Sequence, residues 1–184
     1  GMTYKAAVAG LNLGGGKAVI IGDPRQDKCE ALFRAFGRFI DSLNGRYITA
    51  EDVGTDTFDM DTIRRETRWV VGVPVEEGGS GDPSPATARG IVAATRAVAK
   101  FRWGSEDLAR KTVAILGVGK VGTDLARRYR ELGCTIYAAD VYPPALENAM
   151  ELYDVKPVGL DEILGLECDI LAPCSLGGVF DEKT

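Results

Sequence analysis

Hydrophobic and polar positions alternate along the chain with two periods, one typical of helices and the other of strands. Between residues 29 and 43, apolar side chains recur every three or four positions, which places them on one face of an amphipathic helix. Related patterns predict helices at about 58–67, 86–101, 121–132, 144–152 and 160–164. Apolar runs bounded by turn residues predict strands at 17–21, 46–50, 69–73, 112–116, 135–139, near 155 and at 169–172.

The order of these elements divides the chain into two parts. Residues 76–85 are dominated by Gly and Pro and lose periodicity, which is typical of a domain boundary. After residue 111, strands and helices alternate regularly, and this alternation predicts parallel βαβ units. We therefore expect an α/β protein with one domain at 1–80 and a second, built on a parallel sheet, at 81–184.

Composition narrows the possible chemistry, because the 184 residues include no histidine. This absence excludes Ser–His–Asp and Cys–His nucleophiles, imidazole bases and histidine metal ligands within the chain. Any proton transfer by a side chain must then use Lys, Asp, Glu, Tyr or Cys.

Charge and cysteine spacing limit the expected partners and location. A net charge of −5 argues against a general nucleic-acid binder, and no apolar run reaches the length of a membrane span. The four cysteines include no CxxC pair, which favours reduced cytoplasmic thiols over disulfides or a zinc site. We therefore expect a cytoplasmic protein that binds neither nucleic acid nor membrane and holds no metal.

A glycine-rich motif marks a candidate dinucleotide site. Gly117-Val118-Gly119-Lys120-Val121-Gly122 follows an apolar strand, opens a helix, and is followed by Asp140 at the end of the next strand. Gly117 permits the tight turn, Gly119 lets the backbone approach a diphosphate, and Gly122 lets helix and strand pack closely. The unpaired N–H groups of the helix start would then bind the diphosphate. The alternative is a βαβ unit whose glycines serve packing alone.

The acidic residue of this motif favours one cofactor. A carboxylate at Asp140 can accept hydrogen bonds from both ribose hydroxyls and would repel a 2′-phosphate. Residues 141–143 contain no Arg or Lys that could hold that phosphate. The sequence therefore predicts NAD rather than NADP.

Two lysines and an aspartate before the boundary form a second candidate site. Lys17 follows three glycines and begins a predicted buried strand, where burial would favour the uncharged amine. Lys5 lies on what we expect to be an adjacent strand, and Asp52 leaves a strand end next to Gly54. A structural or solvated role for these three residues is the alternative.

Residues 11–24 read Leu-Asn-Leu-Gly-Gly-Gly-Lys-Ala-Val-Ile-Ile-Gly-Asp-Pro. This segment resembles the active-site signature of the Glu/Leu/Phe/Val amino-acid dehydrogenase superfamily. Further motifs continue the resemblance in the same order, at 2–5, 36–39, 44–54, 83–87 and 172–174. The similarity covers essentially the whole chain and is greatest to leucine dehydrogenases.

The resemblance implies a role for each matching residue. Lys17 would be the catalytic lysine that activates water, and Asp52 would carry the proton to and from the amino nitrogen. Lys5 would bind the substrate carboxylate, and Ala50 would line the side-chain pocket. The cofactor would be NAD, contacted by Thr87, the motif at 117–122, Asp140 and Cys174.

The implied activity is reversible NAD-dependent oxidative deamination of an apolar, branched-chain L-amino acid to its 2-oxo acid and ammonia. Family members are longer at both ends, so the resemblance implies a central fragment with a partial substrate domain followed by an incomplete Rossmann-type domain. The whole protein is expected to be a homo-oligomer. A non-catalytic dinucleotide-binding module or an inactive truncated remnant is the alternative. An NADP-linked glutamate enzyme is disfavoured by Asp140 and by the apolar Ala50.

Overall fold

The computed structural model describes residues 1–182 and 184, which form two compact units, Gly1–Pro83 and Ser84–Thr184. Unit 1 contains three α-helices: α1 (Met2–Val8), α2 (Glu30–Ser42) and α3 (Thr57–Arg64). A single 3₁₀ turn follows at Val75–Glu77. No helix in the described part of the chain has both the length and the apolar character needed to cross a bilayer.

The core of unit 1 lies between α2 and α3, both of which the periodicity predicts. Phe33 from α2 packs with Met60 and Ile63 from α3, and Val70 and Val73 complete the cluster. The spacing of Met60 and Ile63 by three positions puts both on the inner face of α3. Burial of these five side chains stabilises this unit.

The predicted strands of unit 1 are wrong in extent. Residues 17–21 form no strand, and the side chains of Val19 and Ile21 are 81% and 98% exposed. At 46–50 and 69–73 a single parallel bridge joins Thr49 to Val70. Lys5 lies on helix α1 and not on a strand. An apolar run becomes a strand only where another segment supplies ladder partners, and no described segment pairs with residues 17–21.

Unit 2 is built on a four-stranded parallel sheet in the order β3-β2-β1-β4. Its strands are β1 (Thr112–Leu116), β2 (Thr135–Ala139), β3 (Lys156–Pro157) and β4 (Ile170–Pro173). Its helices are α4 (Ser84–Trp103), α5 (Lys120–Glu131) and α6 (Pro143–Tyr153), with a 3₁₀ turn at Ile163–Gly165. This order is that of a Rossmann-type half, which confirms the predicted α/β fold.

Strand β1 is buried on both faces of the sheet. Val113 and Ile115 point into the cluster formed with α5, while Ala114 and Leu116 pack against Ile163 on the other face. This alternation follows from the two-residue period of a strand. Because both faces are covered, β1 and β2 read in the sequence as continuous apolar runs, and their predicted bounds are correct.

A buried hydrogen bond joins helix α5 to helix α4. The Tyr129 side chain is fully buried, and its hydroxyl lies 2.9 Å from Thr95 Oγ1. Thr95 Oγ1 also donates to the Ile91 carbonyl at 2.9 Å, so the shared hydrogen between the two hydroxyls comes from Tyr129. Burial raises the pKa of the Tyr129 phenol, so it is protonated and a donor at neutral pH.

We expect Thr95→Val to destabilise unit 2 more than Tyr129→Phe does. The first change leaves a buried Tyr129 hydroxyl without its partner, which costs about 1–3 kcal/mol, while the second removes the hydroxyl itself and costs about 1 kcal/mol. The measurement is urea unfolding followed by circular dichroism. The free energy of unfolding of the double variant should be close to that of Tyr129→Phe alone. Equal losses of stability in the two single variants would contradict this explanation.

Candidate functional site

The glycine run before Lys17 lets this segment lie directly against its neighbours in unit 1. Gly15 has a φ of +93°, and a Cβ there would collide with the backbone of Thr3 at the start of α1. A Cβ on Gly16 would lie 3.0 Å from the Tyr47 ring. The contact at Gly15 requires glycine, because a side chain would collide with the backbone, whereas a side chain at Gly16 would have to displace the Tyr47 ring. The path of the backbone that leads to Lys17 is therefore set by close approach and not by strand pairing.

Lys17 and Asp52 form an ion pair between Nζ and Oδ2. Their side chains are 56% and 53% exposed, so the prediction that Lys17 is buried is wrong. An ion pair with this exposure contributes little to stability, because water screens it. The structure nevertheless joins the two residues that the resemblance names as catalytic, an amine and a carboxylate in direct contact.

A second contact joins the segments that carry these two residues. Gly54 has a φ of +82°, and a Cβ there would lie 3.1 Å from Pro24 Cβ. The motif at 11–24 and the motif at 44–54 therefore meet at Pro24 and Gly54 as well as through the Lys17–Asp52 pair and the approach of Gly16 to Tyr47. Sequence reasoning missed the contact at Pro24, although Gly54 and the Asp23-Pro24 turn are both visible in the motifs.

Lys5 and Ala50 are placed in unit 1 but are not joined to this pair by side-chain bonds. Lys5 is exposed on α1, and no hydrogen bond or ion pair links it to Lys17 or Asp52 within residues 1–182 and 184. Ala50 is exposed two residues before Asp52, directly after the bridge at Thr49. Their assigned roles in substrate binding stay predictions.

The loop to Asp52 is anchored at the start of α3. Asp56 caps this helix by accepting hydrogen bonds from the backbone of Phe58 and Asp59, and Asp59 accepts one from the Asp56 N–H in return. Lys28 donates to Asp56 Oδ2 at 3.0 Å and also pairs with Asp59. Lys28 was missed at the sequence level because it lies 28 residues from Asp56.

In unit 2 the glycine motif forms a tight turn between β1 and α5. Gly117 has a φ of +94°, and a Cβ there would lie 2.9 Å from the backbone carbon of Cys174. A Cβ on Gly122 would collide with the Gly117 carbonyl oxygen, whereas a Cβ on Gly119 would meet nothing within 4 Å. The turn therefore packs tightly on its protein side at Gly117 and Gly122 and is open at Gly119.

Helix α5 begins at this open position. Gly119 is its N-cap and provides no side-chain cap for the first N–H groups of the helix. Lys120 is exposed and Val121 half-buried in the first turn. An open position at Gly119 and an uncapped helix start are features that a phosphate-binding turn needs.

Asp140 has a structural role that sequence reasoning missed. Its Oδ2 accepts the Val118 N–H at 2.7 Å, and its Oδ1 accepts the Tyr142 N–H at 2.8 Å. The carboxylate thus fixes the turn of the motif to the end of β2. Each oxygen keeps further acceptor capacity, so a ribose hydroxyl can still donate to it.

The other two predicted cofactor residues are both in unit 2. Cys174 follows the end of β4, is half-buried beside Gly122, and donates its backbone N–H to Leu116 at 2.7 Å. Burial raises the pKa of its thiol, so Cys174 is an uncharged thiol at neutral pH and not a thiolate nucleophile. Thr87 is exposed in the first turn of α4. The structure therefore brings Gly117, Gly122, Asp140 and Cys174 together at one edge of the sheet.

The described part of the chain contains no cluster of candidate metal ligands. Within residues 1–182 and 184, no group of three or more His, Cys, Asp or Glu side chains could hold an ion.

Comparison with known proteins gives a match for each unit. Residues 1–69 match the family model described as Glu/Leu/Phe/Val dehydrogenase, dimerisation domain. Residues 85–174 match the model described as D-isomer specific 2-hydroxyacid dehydrogenase, NAD binding domain. The second match confirms the predicted NAD-binding domain, a type of domain that hosts many chemistries.

Individual relatives match the chain over its full length. A leucine dehydrogenase from Geobacillus stearothermophilus is 55% identical over 184 residues, all of this chain and 50% of the relative. The crystal structure of an L-tryptophan dehydrogenase from Nostoc punctiforme matches with a TM-score of 0.67 and 41% identity, over 100% of this chain and 50% of that one. A hetero-hexameric glutamate dehydrogenase from Thermus thermophilus matches with a TM-score of 0.79 and 29% identity, over 98% and 50%.

These matches define the class of protein, a dehydrogenase-related α/β protein with a NAD-binding unit. The predicted resemblance to the Glu/Leu/Phe/Val amino-acid dehydrogenase superfamily is confirmed. It spans about half the length of the curated relatives it matches.

We expect Gly119→Ala and Gly122→Ala to separate binding from folding. Gly119 has a φ of −68° and open space at its Cβ, so alanine there should lower stability by less than about 1 kcal/mol, the cost of a poorer N-cap, and should weaken NAD binding about tenfold or more. Alanine at Gly122 should destabilise unit 2 by at least about 1–3 kcal/mol, because its Cβ meets the Gly117 carbonyl. Calorimetric NAD titration and urea unfolding measure the two effects. Unchanged NAD affinity in Gly119→Ala would rule out a diphosphate at this turn.

The pairing of Lys28 with Asp56 should make the stability of unit 1 depend on pH. Burial alone would raise the pKa of Asp56, but the Lys28 ammonium and backbone N–H donors together lower it below its ordinary value. A lowered folded pKa means that this stabilisation is present at neutral pH and is lost as pH falls through the folded pKa, below about 4.

Lys28→Met tests this dependence. It should lower the free energy of unfolding at pH 7 by roughly 1 kcal/mol or less, since solvent screens a partly exposed pair. The difference between wild type and variant should vanish in acid. Urea unfolding at several pH values measures this difference. Asp56→Asn is the matched control, because it removes the charge at position 56 and keeps a side chain that can cap the helix. A Lys28→Met effect of equal size at every pH would contradict the ionic explanation.

Proposed function

We propose that the protein catalyses reversible, NAD-dependent oxidative deamination of an apolar, branched-chain L-amino acid to its 2-oxo acid and ammonia. The single observation that carries this proposal is the direct contact of the Lys17 amine with the Asp52 carboxylate. In a chain without histidine, an amine and a carboxylate in contact can together stabilise charge and transfer a proton. The names of the relatives, among them leucine and valine dehydrogenases, support the substrate class.

Each member of the pair has a distinct task in the proposed reaction. When bound, NAD accepts the hydride from the substrate α-carbon. Asp52 takes a proton from the substrate ammonium group, which allows hydride loss and formation of the C=N bond. After water has added to that bond, Asp52 returns a proton to the nitrogen, which leaves as ammonia. Lys17 orients and activates the attacking water and stabilises the negative charge that develops on its oxygen. Because Nζ and Oδ2 are already in contact, a proton can pass between the two groups without a relay.

The remaining predicted residues complete the proposal. Lys5 binds the substrate carboxylate, and Ala50 leaves room for an apolar side chain. In unit 2 the turn at Gly119 receives the diphosphate, and Asp140 receives the ribose. Thr87 and Cys174 flank the nicotinamide. Support for the cofactor part comes from the open cradle at Gly119 and the uncapped start of α5.

The proposal extends to assembly and location. We propose that the whole protein is a homo-oligomer, which the match to a dimerisation-domain model supports. A cytoplasmic location agrees with the four cysteines, all of which are free thiols. The competing function is a dinucleotide-binding module without catalysis, and the assay below distinguishes the two.

We expect NADH absorbance to form when the protein is mixed with L-leucine and NAD. Lys17→Ala should lower kcat by about 10²-fold or more, because the charge and proton-transfer roles are lost together, and should leave NAD affinity nearly unchanged. Lys100→Ala is the matched control, since this exposed lysine lies on α4 and pairs with Glu106. NAD binding without NADH formation by the wild-type protein would establish the non-catalytic module instead. Turnover that survives Lys17→Ala would disprove the assigned mechanism.

A further inference from the structure

The Thr55 side chain closes the turn that carries Asp52. Thr55 Oγ1 accepts the Asp52 N–H at 2.9 Å and donates to the Asp52 carbonyl at 2.9 Å. The Thr55 N–H also donates to that carbonyl, at 3.0 Å. One hydroxyl therefore binds both backbone polar groups of Asp52, so the orientation of Asp52 depends directly on it.

This restraint matters because packing does not hold the Asp52 side chain, which is 53% exposed. Its Oδ1 accepts the Val53 N–H at 2.8 Å, a bond made within the same turn, and its Oδ2 is the atom that pairs with Lys17. The turn thus occupies one carboxylate oxygen and presents the other to the amine. A change in the turn backbone would move both oxygens together.

The turn is itself held on two sides. Asp56, the residue after Thr55, caps α3 and binds Lys28, so the C-terminal end of the turn is part of a fixed helix start. On the other side, Gly54 packs against Pro24. Between these two anchors, the Thr55 hydroxyl is the polar side-chain group that connects the helix start to the Asp52 backbone.

We propose that Thr55 is a positioning residue that aims the Asp52 carboxylate at Lys17 through its hydroxyl. The catalytic consequence rests on the proposed function, but the geometric consequence does not. Without the hydroxyl, both side chains are still present, but the position of the Asp52 carboxylate relative to the Lys17 amine is less restricted. Misplacement of a catalytic group by about 1 Å can cost about 10²-fold in rate.

The geometric consequence is tested by lysine labelling, which needs no turnover. The protein is acetylated with a limiting amount of acetic anhydride, and mass spectrometry compares modification at Lys17 with that at Lys5, an exposed internal reference. Asp52→Asn sets the labelling ratio of an unpaired Lys17. Thr55→Val and Thr55→Ala should raise Lys17 labelling at least about twofold towards this value, because a looser pair protects the amine less. Thr55→Ser keeps the hydroxyl and should match wild type.

The kinetic consequence is tested with L-leucine and NAD. Thr55→Val should lower kcat by about 10–100-fold with a smaller change in KM, and Thr55→Ser should restore most of it. Wild-type labelling of Lys17 in both Thr55→Val and Thr55→Ala would overturn the proposal, as would labelling in Thr55→Ser that equals that in Thr55→Val. If wild type forms no NADH but the labelling ratios change as expected, the proposed function fails while the positioning role of Thr55 is supported.

Discussion

Close approach of one backbone to another, which glycine alone permits, is the constraint on which both candidate sites depend. In unit 1 the glycines before Lys17 press against Thr3 and the Tyr47 ring, and this contact directs the segment towards Asp52. In unit 2 the carbonyl of Gly117 fills the space where a Gly122 side chain would lie. A methyl group at either place would displace the main chain, so the sites exist because side chains are absent there.

The sequence predicted unit 2 far better than unit 1, for a physical reason. Strands β1 and β2 are paired with each other and covered on both faces, so local apolar runs and the final structure agree. Residues 17–21 have the same apolar character but no ladder partner, and composition alone cannot supply one. The motifs put Lys17 and Asp52 in one candidate site, and the structure joins the two side chains in an ion pair, but the expected burial of Lys17 in a strand is wrong.

Contacts made by the backbone are the part of both sites that no residue pattern revealed. Asp140 was selected as a ribose ligand, yet in the structure it also accepts the N–H groups of Val118 and Tyr142. The Thr55 hydroxyl likewise binds the main chain of Asp52. A motif identifies the residue types that chemistry requires, whereas the hydrogen bonds that hold them depend on backbone directions set by the fold.

The exposure of the Lys17–Asp52 pair separates its chemical value from any value for stability. A pair that is more than half exposed is screened by water and contributes little to folding. The polar bonds that restrain this region are made by other residues, in the Thr55 turn and in the partly buried Lys28–Asp59 pair. The geometry of the pair can therefore be set by the backbone turn while both of its side chains stay accessible, which is what a binding or catalytic site requires.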